Sequence, residues 1–428
     1  MLRILLPEDA DRAVLLGRLE DRMGAIPVEI ERSVRHVIDE VRARGDEAVR
    51  AFTLQWEKRE LGDLEMSRTD WEREAQKTAP DVRQAIERAR DRIARFHEQQ
   101  RVSGYVLSEA GVELELKVTP LRRVALYVPG GTARYPSSVL MTAVPARVAG
   151  VGEIIMVTPG PSPETLYAAK VAGVDRVFPI GGAQAVAALA YGTRSVPRVD
   201  KIVGPGNAFV AEAKRQVFGM VDIDQVAGPS EILVIADESA DAKLVAADLL
   251  SQAEHDVDAY AVLVTPSATL ASQVAKEIEA QVHSLPRRAI AEKALFRHGI
   301  AVVVRSLDEA IAFADRYAPE HLELMVKDPK AAAARIGTAG AIFLGASTPE
   351  AAGDYLAGPN HVLPTGGTAR YGSPLGVYDF IKRTSLIGYT KDALRRQATD
   401  IVRLANVEGL QAHGRAVAIR IAPAGGNG

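Results

Sequence analysis

The chain has no cysteine among its 428 residues. That absence excludes a disulfide framework, a thiolate metal site and a sulfur nucleophile. Any metal must rest on His, Asp, Glu, Asn or Gln, and any covalent intermediate must avoid sulfur. An excess of one charge is lacking too: 52 Lys and Arg stand against 55 Asp and Glu, a net −3, with no long basic run. Nucleic acid and anionic membranes are therefore not expected as partners. Nowhere do about 18 apolar residues run together, so no membrane-spanning helix is expected. The N-terminus has only a short apolar run before Pro7, which is no secretory signal, and the chain reads as cytoplasmic. The Gly-x-Gly-x-x-Gly fingerprint is also missing, because the stretch from Gly204 to Phe209 lacks the third glycine.

What is present is an ordinary globular composition, 47% hydrophobic and 25% charged, on a chain long enough for two to four structural units. The first hundred residues are helical in pattern: 28–50 and 80–100 carry apolar residues every three or four positions between charges. From Leu121 the texture changes. Runs over Val124–Val128, Glu153–Val157, Arg176–Ile180 and Lys201–Val203 alternate with Ala-rich helical segments. A second alternation spans Glu231 to Leu344, with strands expected over Ile232–Ala236, Ala259–Thr265, Ile300–Val304, His321–Val326 and Ala341–Leu344. Alternation of this kind implies βαβ units and parallel sheets. The expected fold class is α/β: two tandem Rossmann-like modules, a helical N-terminal region and a small helical C-terminal tail domain. The two modules have no sequence repeat strong enough to prove duplication. The Gly/Pro-rich stretch 345–374 reads as an ordered functional loop. Residues 390–420 read as helical, and 422–428 as disordered.

Four groups of residues carry chemistry. Gln252 and His255, spaced i, i+3 at a helix end, can converge on one atom, and a carboxamide beside an imidazole suits Zn²⁺. Taken alone, such a pair is an ordinary polar helix end. Glu320 and His321 stand between a helix and an apolar strand and can act as an acid/base pair, or simply bound those elements. Asp354, His361 and His413 complete a ligand set of the right character, although spacing does not show that they meet. Three Gly-rich junctions, at Tyr127 to Gly131, Pro179 to Gln184 and Val203 to Asn207, follow predicted strands, where backbone amides can approach a phosphate. The residues themselves give an α/β protein with a candidate metal site and a candidate nucleotide site and fix no reaction, so a zinc hydrolase and a non-catalytic nucleotide-binding protein both stay open.

The words YVPGG, GGAQA, KIVGPGN, IDQVAGPSE, LLSQAEHD, YAPEHLEL, EAAGDYLAGPNHVLPT and EGLQAH resemble, in order and spacing, the histidinol dehydrogenase family, over Gly24 to Arg420. The resemblance implies oxidation of L-histidinol through L-histidinal to L-histidine with two NAD⁺. A paralogous dehydrogenase acting on another small alcohol is the nearest alternative. It implies Glu320 and His321 as catalytic residues, with His321 taking the hydroxyl proton and Glu320 activating the hydrating water. It further implies Gln252, His255, Asp354 and His413 as ligands of one Zn²⁺ per subunit; His361 drops out of that set. Ser230, Gln252, His255, His321, Asp354, Glu408 and His413 become substrate contacts, and Tyr127, Gln184 and Asn207 line the NAD site. A homodimer is implied, its active site shared between subunits. The expected domains are a small N-terminal segment over 1–24, a discontinuous first α/β domain over 25–122 and 233–376 carrying the zinc and acid/base residues, a second α/β domain over 123–232 on the NAD side, and a helical tail over 377–428 reaching the partner.

Overall fold

Runs such as Ile232 to Ala236 and Ala261 to Val264 are apolar at every position, which suits strands buried on both faces of a parallel sheet. In the computed structural model, which describes residues 2–22, 26–130 and 134–422, these runs form the centre of a six-stranded parallel sheet. Its order is Arg3–Leu5, Gly299–Val303, Tyr260–Thr265, Glu231–Ala236, His321–Met325, Ala341–Leu344. A five-stranded parallel sheet has the order Arg176–Phe178, Glu153–Val157, Arg123–Tyr127, Lys201–Val203, Asp222–Ile223. In each module the first strand is central, the next two build outward on one side and the last two on the other. The tandem α/β modules expected from the sequence therefore share one strand order. Arg3–Leu5 was not anticipated: three residues cut short by Pro7 carry no readable period, yet they extend the edge beside Gly299–Val303.

Alternate residues of the central strand serve the two faces of the larger sheet. Ile232, Val234 and Ala236 pack with helices Ala242–Ala253, Ala268–Val282 and Arg288–His298, whereas Leu233 and Ile235 pack with Leu307–Tyr317. Ile232, Leu233, Val234 and Ile235 are fully buried. Each such side chain contributes roughly 1.5–3 kcal/mol, which offsets the cost of a charged residue opening the strand at 231.

The helical pattern over 28–50 is two helices, Val28–Arg44 and Asp46–Phe52, broken at Gly45 with φ +55°. Val34, Val37, Ile38 and Val41 share a core with Ala125 and Ile155, and Ile86, Ala89 and Ile93 of Pro80–Glu98 share one with Val124 and Leu126. Residues 28–98 thus pack on the five-stranded sheet, where the sequence reading grouped 25–122 with 233–376. Helical periodicity shows which face is apolar but not which sheet covers it.

The described residues form two compact units, one of residues up to 100 with 121–380, the other of 101–120 with 381 onward. Both parallel sheets lie in the first. The second contains an antiparallel sheet, Ile381–Tyr389, Val112–Pro120 and Tyr105–Glu109, and helices Lys391–Val407 and Gln411–Ile421. Its hairpin turns through Ala110 and Gly111, both at positive φ, as a two-residue turn matched to strand twist requires. The tail over 377–428 is therefore not helical throughout: nine residues form a strand whose partners lie in a stretch with no counterpart in the sequence reading. The loop over 345–374 also holds a short helix, Glu350–Tyr355. Gly131 and residues 423–428 lie outside the described residues. No described helix is long and apolar enough to cross a membrane.

Candidate active site

Glu231 opens the central strand and His321 its neighbour, and the register pairs His321 with Ile232. Ser230, Glu231, Glu320 and His321 thereby gather at the amino edge of the six-stranded sheet. Helix Ala242–Ala253, capped by Asp241, returns to that edge with Gln252 in its last turn and His255 just beyond. It touches helix Glu350–Tyr355, whose Glu350 and Asp354 stand four positions apart on one face. Ligands of open α/β sheets usually sit at the carboxyl edge. The connection explains the exception: residues 224–230 leave the carboxyl edge of the five-stranded sheet and enter the amino edge of the larger one.

His321 is buried, with Nδ1 3.0 Å from the Glu231 carbonyl and Nε2 without a partner, 3.9 Å from Asp354 Oδ1. Burial pushes its pKa down to about 4, against an upward pull from Asp354, and His255 lowers it further. The ring is neutral at pH 7. A proton on Nδ1 then satisfies the carbonyl and leaves the Nε2 lone pair free. Burial, then the neighbouring Glu231 carboxylate, raises the Glu320 pKa well above the usual carboxylate range, opposed by the Glu231 main-chain N–H, which donates to Oε2 at 2.9 Å. A basic carboxylate and a neutral imidazole side by side suit proton transfer near neutrality.

Around this pair stand further polar groups. Gln252 is fully buried, its Oε1 has no partner, and its Nε2 lies 3.4 Å from His255 Nδ1. One ligand atom each from His321, Glu350 and Asp354 falls within 4.8 Å of the others. Both carboxyl oxygens of buried Glu350 lack a partner, and burial raises its pKa well above the usual range. His361 places Nδ1 3.0 Å from the Asp354 carbonyl, and burial lowers its pKa. The first unit thus brings Gln252, His255, Glu320, His321 and Asp354 into one neighbourhood. Glu408, the C-cap of helix Lys391–Val407, and His413 belong to the second unit, where both are exposed.

The three Gly-rich junctions lie at the carboxyl edge of the five-stranded sheet. Tyr127 is buried, accepts the Gly182 N–H at 2.9 Å, and has its phenol pushed up to about 12, mainly by burial. Gln184 is buried with Oε1 unpartnered. Asn207 caps helix Ala208–Val217, accepting from the Phe209 and Val210 N–H groups at 3.1 Å. Gly204, at φ +112°, is obligatory: a Cβ there would collide with the Tyr127 carbonyl. Its N–H donates to Asp224 at 2.6 Å and its carbonyl accepts from buried Lys214 at 2.9 Å.

Sequence reasoning missed Glu231, Arg22 and Glu350. Two of them had a signal: Glu231 is a charge opening a wholly apolar strand, and Glu350 precedes Asp354 by one helical turn. Arg22 had none, because its partner Glu231 is 209 positions away.

A sequence profile described as histidinol dehydrogenase matches residues 21–421. The chain is 51% identical over 428 residues to a histidinol dehydrogenase of Syntrophotalea carbinolica, covering 98% of this chain and 99% of that one. With the histidinol dehydrogenase of Geobacter sulfurreducens it shares 52% over 421 residues, covering 96% and 97%. The crystal structure of histidinol dehydrogenase from Elizabethkingia anophelis superposes with a TM-score of 0.91 at 34% identity, covering 98% of each chain.

Proposed function

Because the chain belongs to the histidinol dehydrogenase family, we propose that it oxidises L-histidinol through L-histidinal to L-histidine in the cytoplasm, reducing two NAD⁺ in the last two steps of histidine biosynthesis. The observation that carries the mechanism is His321: a buried, neutral imidazole with Nδ1 engaged and Nε2 free. His321 Nε2 takes the hydroxyl proton of the alcohol as hydride leaves its carbon for the nicotinamide. Glu320 draws a proton from the water that adds to the aldehyde, while protonated His321 returns its proton to the carbonyl oxygen, giving a gem-diol. His321, returned to its neutral form, takes a hydroxyl proton of that diol as the second hydride leaves. With no cysteine in the chain, the aldehyde cannot be held as a thiohemiacetal, which favours the hydrated route.

The residues fit a bound Zn²⁺. Gln252 Oε1 is buried without a partner beside His255, and Asp354, grouped with His321 and Glu350, lies on the helix that Gln252's helix touches, so carboxamide, imidazole and carboxylate donors suited to that ion are present. Gln252, His255, Asp354 and the His413 of a second copy are the ligands in this reading. When bound, the ion anchors the substrate's imidazole and amine and so orients the carbinol carbon. Ser230 and Glu408 hold the substrate, and Tyr127, Gln184 and Asn207 line the NAD site. Residues 123–232 form the NAD side, and the six-stranded module carries the metal and proton chemistry.

A homodimer sharing its active sites agrees with the second unit's surface. Val106, Leu107, Ile387, Leu404, Val407 and Ile419 are each more than half exposed there, and an exposed apolar edge of this kind favours association. The deciding assay mixes purified chain with L-histidinol and NAD⁺. Two NADH per histidinol is the expected yield, and no NADH from zinc-loaded protein would overturn the reading.

A further inference from the structure

Glu231 meets the acid/base pair through three separate groups. Its main-chain N–H donates to Glu320 Oε2 at 2.9 Å, and its carbonyl accepts from His321 Nδ1 at 3.0 Å. Its carboxylate accepts the Glu320 main-chain N–H at 3.3 Å. That carboxylate is itself saturated, taking two bonds from Arg22 (Nη2 at 2.6 Å, and Nε), one from the Tyr317 hydroxyl at 3.0 Å and one from the Gly366 N–H at 3.0 Å. Arg22 lies 3.5 Å over the Tyr317 ring and donates to the carbonyls of Leu19, Tyr317 and Ala318. Both charged side chains are 1% exposed. A buried ion pair of this kind adds little net stability over apolar packing of the same volume, so stability alone does not account for it. What it does is anchor residue 231, and with it the peptide units on both sides of its Cα.

We propose that Glu231 is the positioning residue of the acid/base pair: its clamped carboxylate fixes the two peptide units flanking its Cα, of which the one carrying its carbonyl selects the Nδ1–H tautomer of His321 and the one carrying its N–H aims the Glu320 carboxylate. The proposal rests on the acid/base reading of Glu320 and His321. The carbonyl of residue 231 does for His321 what an orienting carboxylate does in a catalytic triad, holding the proton on one nitrogen so that the other is the base. Positioning of this kind is felt in the chemical step, since substrate affinity comes from other groups.

The test uses the full chain in two variants. Arg22→Gln with Glu231→Gln exchanges the ion pair for two amides and leaves no lone buried charge. Tyr317→Phe removes one bond from the carboxylate. The double variant is expected to lose about 30-fold or more in kcat, and Tyr317→Phe about 3- to 10-fold, with KM for histidinol within about 3-fold of the parent. In ¹⁵N-histidine spectra, with His321 assigned by its absence in His321→Asn, the parent shows the Nδ1–H tautomer and the variants a mixture. If either kcat or the tautomer stays at the parental value in the folded double variant, the proposal falls. Should that variant not fold, Tyr317→Phe decides by the same two readouts. Retained turnover in His321→Asn would instead sink the acid/base reading, whatever the Glu231 variants do.

Discussion

At the scale of the residue, burial is the common cause of the properties on which the proposed roles of Glu320 and His321 rest. Desolvation disfavours the charged form of each, which lowers the imidazole and raises the carboxyl. The neutral ring can accept a proton at neutral pH, and the carboxylate is a stronger base than a solvated one. The two roles separate by substitution. His321→Asn should lower turnover by about 10²- to 10⁴-fold, the usual worth of a general base, while bound zinc stays at the parental ratio. Glu320→Gln should leave the first NADH of a single turnover and slow the second by a similar factor. Metal loss from the histidine variant, or two NADH at the parental rate from the glutamate variant, would contradict the assignment.

At the scale of the element, what was legible depended on whether a residue's partner was close in sequence. Helix Ala242–Ala253 could be read from its apolar period, and Gln252 with His255 from their spacing at its end. Glu350–Tyr355 could not: six residues hold no period, and Pro349 and Gly353 look like breakers. That helix is fixed from outside, since the Glu350 N–H donates to Glu323 at 2.9 Å, and Glu323 comes from the strand that begins with His321. Glu323 is buried, and desolvation, then the facing Asp248 carboxyl, raises its pKa from 4.5 to about 9. A folded-state value above the unfolded one stabilises the fold fully below pH 4.5, and the contribution is lost as pH rises through about 9. Glu323→Gln keeps the acceptor for Glu350 and does not titrate. Its melting temperature should therefore gain on the parent as pH rises from 5 to 9, by roughly a few degrees at the alkaline end. Melting curves that stay parallel across that range would show that Glu323 is not held neutral.

At the scale of the whole molecule, two modules of one strand order offer opposite edges, the carboxyl edge of the smaller sheet and the amino edge of the larger, joined directly by residues 224–230. The proposed proton chemistry draws only on residues of the first unit. The proposed ligand set needs His413 as well, and that residue is exposed on the second unit. If His413 reaches the active site of the other copy, activity can be rebuilt from two damaged chains. A dimer of His321→Asn with His413→Ala has one site carrying both defects and one carrying neither. Random reassortment makes half the dimers mixed, so an equimolar mixture, dissociated and reassociated, should recover about a quarter of parental activity from two nearly inactive preparations. If His413 serves its own chain, every site keeps one defect and the mixture stays at the level of its components. NADH production before and after exchange, with size-exclusion chromatography to verify the dimer, distinguishes the two arrangements.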